Sequence, residues 1–192
     1  SSMMSDVKTN SPWNLPNAIT TARILLVPYF IWLLFQPVGE FQVTRWIATA
    51  VFVLGISTDS LDGAIARRRG LITNLGKILD PIADKALIGG ALVALSILNE
   101  VPWWATVAIL IRELGITAYR FVVIRKRVVS ASGGGKLKTI LQSITVGALM
   151  SPFDSLLPIW YGYVEAILLV LTVSLTLVTG LQYLVAAAKA RD

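Results

Sequence analysis

Six apolar segments of this sequence are each long enough to form a helix that crosses most or all of a bilayer. They span residues 18–35, 45–66, 78–98, 103–124, 137–152 and 160–186, with Pro, Gly or charged residues in every break. The chain is 55% hydrophobic and has a mean hydropathy of +0.72. These features predict an all-α polytopic membrane protein with six transmembrane helices in one domain, residues 1–192. We expect polar residues 1–12 to be flexible and partly derived from cloning.

The basic residues predict how these helices are oriented. If both termini lie on one side of the membrane, sixteen of the 17 Lys and Arg residues belong to that side and Arg45 alone lies opposite. Basic residues accumulate on the cytoplasmic side of membrane proteins. We therefore expect a multi-pass protein of the cell inner membrane with both termini in the cytoplasm. The fifth segment carries Gln142, Ser143 and Ser151, which indicates that it faces protein rather than lipid.

The composition excludes several kinds of chemistry. The chain has no Cys and no His, so thiolate or imidazole metal sites, disulfides and Ser-His or Cys-His nucleophiles are ruled out. A general base must come from Asp, Glu, Lys or Tyr, and a bound metal should be a hard ion such as Mg²⁺ or Mn²⁺. The net charge of +6 fits anionic lipid headgroups, and we expect no nucleic-acid partner.

Four aspartates lie at helical spacing inside this apolar chain. Asp59 and Asp62 are three residues apart, and Asp80 and Asp84 are four apart, so each pair projects from one helix face. Charges at membrane depth are costly and require a counter-charge, most simply two divalent ions that act on a phosphate. Asp59, Asp62 and Asp80 are the candidate ligands. Asp84 completes the set and is the candidate general base.

Neighbouring residues are suited to bind a nucleotide. Gly63 has no side chain, so a ligand can approach the helix backbone beside it and beside Ala66. Arg67 can bind a diphosphate through its planar guanidinium, and Thr73 can add a hydroxyl contact. The simpler alternative is that the aspartates cap helices or pair with nearby cations at the membrane surface. The small residues interleaved with four acids favour a binding site.

Four further cations form a candidate anion pocket near the cytoplasmic ends of the fourth and fifth segments. They are Arg112, Arg120, Lys136 and Lys138. Because a helix N-terminus already favours anions, lysines at the start of the fifth segment are well explained by a bound phosphate on the acceptor. Two alternatives stay open: the lysines set topology, and Arg112 pairs with a neighbouring side chain.

One motif of the sequence resembles the signature of the CDP-alcohol phosphotransferase family. It reads Asp59-x-x-Asp62-Gly63-x-x-Ala66-Arg67, then eight residues, then Gly76-x-x-x-Asp80-x-x-x-Asp84, and every position matches. The resemblance implies a six-helix membrane enzyme, usually homodimeric, that transfers a phospho-group from a CDP-linked donor to an alcohol and releases CMP. It also implies metal binding by all four aspartates, base catalysis by Asp84, and nucleotide contacts from Gly63 and Arg67.

Three further segments resemble the phosphatidylglycerophosphate synthase branch of that family. They are residues 14–23, Arg112-Glu113 and residues 135–142. This resemblance implies CDP-diacylglycerol as donor, sn-glycerol 3-phosphate as acceptor, and substrate contacts from Asn17, Thr20 and Arg23. The alternatives are the same chemistry on inositol phosphate, serine or phosphatidylglycerol, and, more remotely, a divalent-cation transporter.

Overall fold

A computed structural model of the protein describes the backbone of residues 15–37, 39, 42–69, 74–123 and 133–189. It describes the side chains of the same residues except 16, 59–69, 74–81, 123 and 133–135. Predictions for residues 1–12 and Thr73 lie outside the described residues.

Helices account for all regular secondary structure in the described part of the chain. Seven helices follow one another: α1 (Leu15–Leu34), α2 (Val43–Arg69), α3 (Asn74–Ile97), α4 (Trp103–Val123), α5 (Gly133–Met150), α6 (Phe153–Leu156) and α7 (Trp160–Lys189). The all-α prediction is confirmed for these residues.

The six long helices coincide with the six apolar segments, but their ends differ. α3 begins at Asn74 rather than at residue 78, and α5 begins at Gly133 rather than at residue 137. The prediction followed apolar side chains alone. The helices are longer because their backbone hydrogen bonds continue into the polar residues at the ends. The break predicted between Pro152 and Pro158 also needs correction, because it contains the single-turn helix α6.

The core forms where α1 packs against α2 and α3 and where α5 and α4 pack against α7. Phe30 of α1 and Phe52 of α2 are fully buried and stack with ring centroids 6.1 Å apart. Glycine permits close helix approach at Gly55, where an added Cβ would lie 2.7 Å from a methyl carbon of Leu87. The missing side chain of Gly55 therefore lets α2 approach Leu87 of α3 closely.

Buried hydroxyl groups join helices inside the bundle. The Oγ of Ser96 lies 2.6 Å from Oγ1 of Thr106, which links α3 to α4. Oγ1 of Thr145 lies 2.6 Å from Oγ1 of Thr172, which links α5 to α7. Of the polar residues that predicted a protein-facing fifth helix, Gln142 and Ser151 are buried, whereas Leu137, Ile140 and Ile144 on another face of α5 are more than half exposed.

The outer surface of the bundle is rich in exposed apolar side chains, which a bilayer would cover. Leu25, Ile111, Val122 and Leu181 are each more than 60% exposed. Two of the described helices, α1 and α7, are long and apolar enough to cross a membrane by length and composition. The other long helices fall short of that test, and α2 to α5 all carry charged residues. A membrane association is supported, and six crossings remain a prediction.

Candidate active site

The acidic motif is carried by the end of α2 and the beginning of α3. Both stretches are helical, so Asp59 and Asp62 share one turn of α2, and Asp80 and Asp84 share one turn of α3. The side chains of Asp59, Asp62 and Asp80 lie outside the described part, as do those of Gly63, Ala66 and Arg67. Asp84 is the motif aspartate whose surroundings the structure shows.

Asp84 faces a group of charged residues. Its side chain is 19% exposed, and its Oδ2 lies 3.9 Å from Nζ of Lys85, which is longer than a hydrogen bond. The charges of Lys138, Glu113 and Arg23 also act on this carboxylate. A cavity of about 20 Å³ between α3, α4 and α5 is lined by Asp84, Lys85, Glu113 and Gln142, among others. Asp84 therefore adjoins the polar interior between these helices.

Glu113 is the centre of that polar interior. Its Oε1 accepts hydrogen bonds from Nζ of Lys138 at 2.6 Å, Nη1 of Arg112 at 3.2 Å and Nε2 of Gln142 at 3.2 Å. Its Oε2 forms an ion pair with Nζ of Lys85. One carboxylate thus joins α3, α4 and α5. We refer to Glu113, Lys85, Arg112 and Lys138 as the Glu113 cluster.

The Glu113 cluster has more positive than negative charge. Three cations share the carboxylate of Glu113, an excess of two positive charges among these four side chains, and an excess of one remains when Asp84 beside Lys85 is counted. Glu113 and Lys138 are each 5% exposed, and Arg112 is 9% exposed. Because buried charge is costly without a counter-charge, this excess favours an anionic ligand.

Helix α7 fixes the position of Arg112. The Arg112 Nε donates a hydrogen bond to the backbone carbonyl of Thr176 at 3.2 Å. The hydroxyl of Thr176 accepts one from Gln142 at 3.0 Å. One turn further, Gly180 leaves room for the Arg112 side chain, since an added Cβ would lie 2.9 Å from its Cγ. α7 therefore packs against the Glu113 cluster and holds Arg112 in place.

The four predicted acceptor-binding cations fall into two groups. Arg112 and Lys138 meet at Glu113, as described above, so both are paired in this structure. Lys136 and Arg120 are exposed. The guanidinium carbon of Arg120 lies 4.9 Å from the ring centroid of Tyr183 on α7, a cation–π geometry. Only Arg112 and Lys138 are brought together in the polar interior.

The three residues singled out on α1 form a buried polar stripe. Asn17, Thr20 and Arg23 are 4%, 1% and 2% exposed and lie on the helix face toward α2 and α3. The Nε of Arg23 donates a hydrogen bond at 3.3 Å to Oγ1 of Thr58, the residue that precedes Asp59. A hydrogen bond therefore joins α1 to α2 next to Asp59, the first motif aspartate.

An apolar groove starts near the acidic motif and runs along the bundle. It has a volume of about 620 Å³ and lies between α2 and α5, with α6 and the start of α7 at its far end. Ser57, two residues before Asp59, lines the near end, and Leu157 and Tyr161 line the far end. Its other lining residues are Thr49, Phe52, Val53, Ile56, Ser143, Ile144, Gly147, Ala148, Ser151 and Phe153. The volume and the largely apolar lining of the groove suit a hydrocarbon chain.

The sequence interpretation missed Lys85, Gln142 and Thr176 as members of this polar interior, and it gave Glu113 no role of its own. A signal was present, because Lys85, Arg112 and Glu113 are charged residues inside apolar segments, where charges commonly pair with one another. The spacing along the chain does not reveal which charges on different helices meet.

Comparisons with known proteins agree with the motif. The family model for CDP-alcohol phosphatidyltransferase matches residues 13–178. A probable phosphatidylglycerophosphate synthase of Mycobacterium tuberculosis is 42% identical over 176 residues, which cover 92% of this chain and 82% of that protein.

Two further relatives are named CDP-diacylglycerol–glycerol-3-phosphate 3-phosphatidyltransferase. The Bacillus subtilis protein is 39% identical over 148 residues, covering 72% of this chain and 77% of its own. The Rickettsia typhi protein is 36% identical over 171 residues, covering 88% and 94%. With a family model that matches most of its length, the chain belongs to the CDP-alcohol phosphatidyltransferase family.

Proposed function

We propose that this protein is a membrane-embedded enzyme that transfers the phosphatidyl group of CDP-diacylglycerol to sn-glycerol 3-phosphate. The products are phosphatidylglycerophosphate and CMP. The names of the relatives support this donor and acceptor. The observation that carries the acceptor assignment is the excess of buried positive charge in the Glu113 cluster beside Asp84, because it suits an alcohol that brings its own phosphate.

The acidic motif suits two divalent cations, Mg²⁺ or Mn²⁺. Four carboxylates in a chain without His or Cys form an oxygen-only donor set, which hard cations prefer. The Asp84 carboxylate is partly exposed and lies beyond hydrogen-bond distance of Lys85, which suits a metal ligand. Asp59, Asp62, Asp80 and Asp84 would hold the ions. When bound, they polarise the donor diphosphate and stabilise the charge on departing CMP.

The donor spans the acidic motif and the apolar groove. The nucleotide lies over Gly63 and Ala66, and Arg67 and Thr73 contact the diphosphate. An acyl chain occupies the groove between α2 and α5, whose near end at Ser57 is two residues from Asp59. Burial of a hydrocarbon chain in this groove stabilises binding and positions the phosphorus beside the carboxylates.

The acceptor enters from the cytoplasm with its phosphate toward the Glu113 cluster. Arg112 and Lys138 supply buried positive charge, and exposed Arg120 and Lys136 attract the anion at the entrance. Asn17, Thr20 and Arg23 contribute to the substrate site through the buried face of α1. The acceptor hydroxyl then points to Asp84, which lies beside the cluster.

The transfer is direct. Asp84 takes the proton of the acceptor hydroxyl, and the hydroxyl oxygen of the acceptor forms a bond to the lipid-linked phosphorus. At the same time, the bond from that phosphorus to the CMP oxygen breaks. The electron pair of the broken bond stays on CMP. No covalent enzyme intermediate is needed, because both substrates are held at one site.

The membrane arrangement is part of the proposal. We infer six crossings from the six long helices, and such an arrangement would put sixteen of the 17 basic residues on one side, which favours cytoplasmic termini and an inner-membrane location. Arg45, the basic residue assigned to the opposite side, pairs with Glu100 and donates to the carbonyl of Met150 at 3.2 Å, at the other end of α3 from the motif. The protein acts as a homodimer among membrane lipids.

A comparison of acceptors tests this function. Purified protein receives CDP-diacylglycerol, Mg²⁺ and, in separate reactions, glycerol 3-phosphate, inositol phosphate, serine or phosphatidylglycerol. Only the reaction that contains glycerol 3-phosphate should release CMP and form a lipid with the mass of phosphatidylglycerophosphate. A higher turnover with another acceptor, or no CMP release with any, would refute the assignment.

A further inference from the structure

Lys85 is the cation of the Glu113 cluster that is most open to a ligand. Its side chain is 25% exposed, compared with 9% for Arg112 and 5% for Lys138. It follows Asp84 directly in α3, and its Nζ lies 3.9 Å from the Asp84 Oδ2. A ligand that reaches Asp84 therefore meets the ammonium of Lys85.

Glu113 determines where this ammonium lies. A lysine side chain has four flexible bonds, so a lysine without a partner would populate many rotamers. The Oε2 of Glu113 pairs with Lys85. Its Oε1 accepts hydrogen bonds from Arg112 on α4 and from Lys138 and Gln142 on α5. Since these three donors fix the carboxylate, the carboxylate in turn fixes Lys85.

We propose that Lys85 binds the phosphate of the acceptor and that Glu113 is the positioning residue that holds Lys85 for this contact. This inference rests on the proposed function. In glycerol 3-phosphate the reacting hydroxyl and the phosphate are separated by a three-carbon chain, so the phosphate-binding cation must lie close to the base. Lys85 meets this condition because its Nζ lies 3.9 Å from Oδ2 of Asp84 and pairs with Glu113.

Loss of Lys85 or Glu113 should affect the affinity for the acceptor and the affinity for the donor differently. Lys85 contacts the acceptor alone, so its loss should weaken the acceptor and leave the donor unaffected. Glu113 contacts neither substrate, so its effect should pass through the cations that it pairs with, of which Lys85 is the most exposed. Removal of both residues should then raise the KM for glycerol 3-phosphate by less than the product of the two separate increases, because the two residues act as one unit.

The test uses full-length protein in detergent with CDP-diacylglycerol and glycerol 3-phosphate. Lys85→Met removes the charge at nearly constant length, and Glu113→Gln removes the charge at constant shape. A charged hydrogen bond to phosphate implies a rise in KM for glycerol 3-phosphate of at least about ten-fold in each variant. We expect the KM for CDP-diacylglycerol to change less than about three-fold, and Lys85→Arg to restore part of the acceptor affinity.

A matched control separates positioning from general destabilisation. Glu100→Gln makes the same chemical change in another ion pair, with the buried Arg45 at the opposite end of the bundle. We expect this variant to keep the acceptor KM of the unmodified protein even if its thermal stability falls. An equal rise in acceptor KM in Glu100→Gln would overturn the specific role of Glu113.

Other outcomes also decide the question. If Glu113→Gln does not fold because three cations lose their partner, Lys85→Met still tests the contact, since it removes one of those cations. An unchanged acceptor KM in Lys85→Met overturns this inference alone. Absence of any turnover of glycerol 3-phosphate by the unmodified protein would instead refute the proposed function, and this inference with it.

Discussion

Gly180→Ala is the substitution whose consequence follows most directly from the geometry of the site. The added Cβ would lie 2.9 Å from Cγ and 3.2 Å from Nε of Arg112. Arg112 must then move by several tenths of an ångström, and its hydrogen bond from Nε to the carbonyl of Thr176 is lengthened or lost. The loss of a hydrogen bond from a charged group costs about 1.5–3 kcal/mol.

The higher helix propensity of alanine offsets part of this loss of stability. Alanine is favoured over glycine inside a helix by about 1 kcal/mol. The two effects leave a net destabilisation of roughly 0.5–2 kcal/mol, which corresponds to a fall in melting temperature of about 1–8 °C for a chain of this size. Disturbance of the Glu113 cluster should also reduce the turnover of glycerol 3-phosphate.

The assay is thermal unfolding of purified protein in detergent, followed by tryptophan fluorescence, with Gly162→Ala as the control. Gly162 lies on the same helix α7, but nothing lies within 4 Å of its added Cβ, so the same methyl group meets no obstacle there. We expect Gly162→Ala to melt at or above the temperature of the unmodified protein. If Gly180→Ala is as stable as Gly162→Ala, the described packing of Arg112 against α7 is wrong.

Three further outcomes are expected. Asp84→Asn should abolish phosphatidyl transfer and leave donor binding largely intact, as measured by product formation and by titration with CDP-diacylglycerol; full activity would exclude Asp84 as the base. Removal of divalent cations with EDTA should stop CMP release, and Mg²⁺ or Mn²⁺ should restore it, whereas activity in EDTA would contradict a metal-dependent mechanism. Gly147→Phe should fill part of the apolar groove and raise the KM for CDP-diacylglycerol without changing the affinity for CMP; an unchanged donor KM would exclude the groove as the acyl-chain site.

The long helices could be predicted from the sequence because apolar segments of this length have few other stable structures. The errors lie at helix ends, as at Asn74 and Gly133, where polar residues continue the helix. The short helix α6 was missed because a four-residue helix between prolines has no periodic pattern.

The motif at the ends of α2 and α3 could be found from spacing, because each aspartate pair lies within one turn of one helix. The Glu113 cluster could not, because Lys85, Glu113 and Lys138 lie on three different helices whose relative rotation depends on packing. Arg112 illustrates the difference: its position inside an apolar segment indicated a partner, and Glu113 is its neighbour in the sequence, but the contact with Thr176 depends on the packing of α4 against α7.

The most direct test of the central claim is to locate Mn²⁺ in crystals of the protein by anomalous scattering. We expect metal peaks between α2 and α3, with a carboxylate oxygen of Asp84 at a coordination distance of roughly 2.0–2.2 Å, and with the Glu113 cluster facing the metals. Metal peaks remote from Asp84, or the absence of any metal peak between α2 and α3, would contradict the proposed metal site.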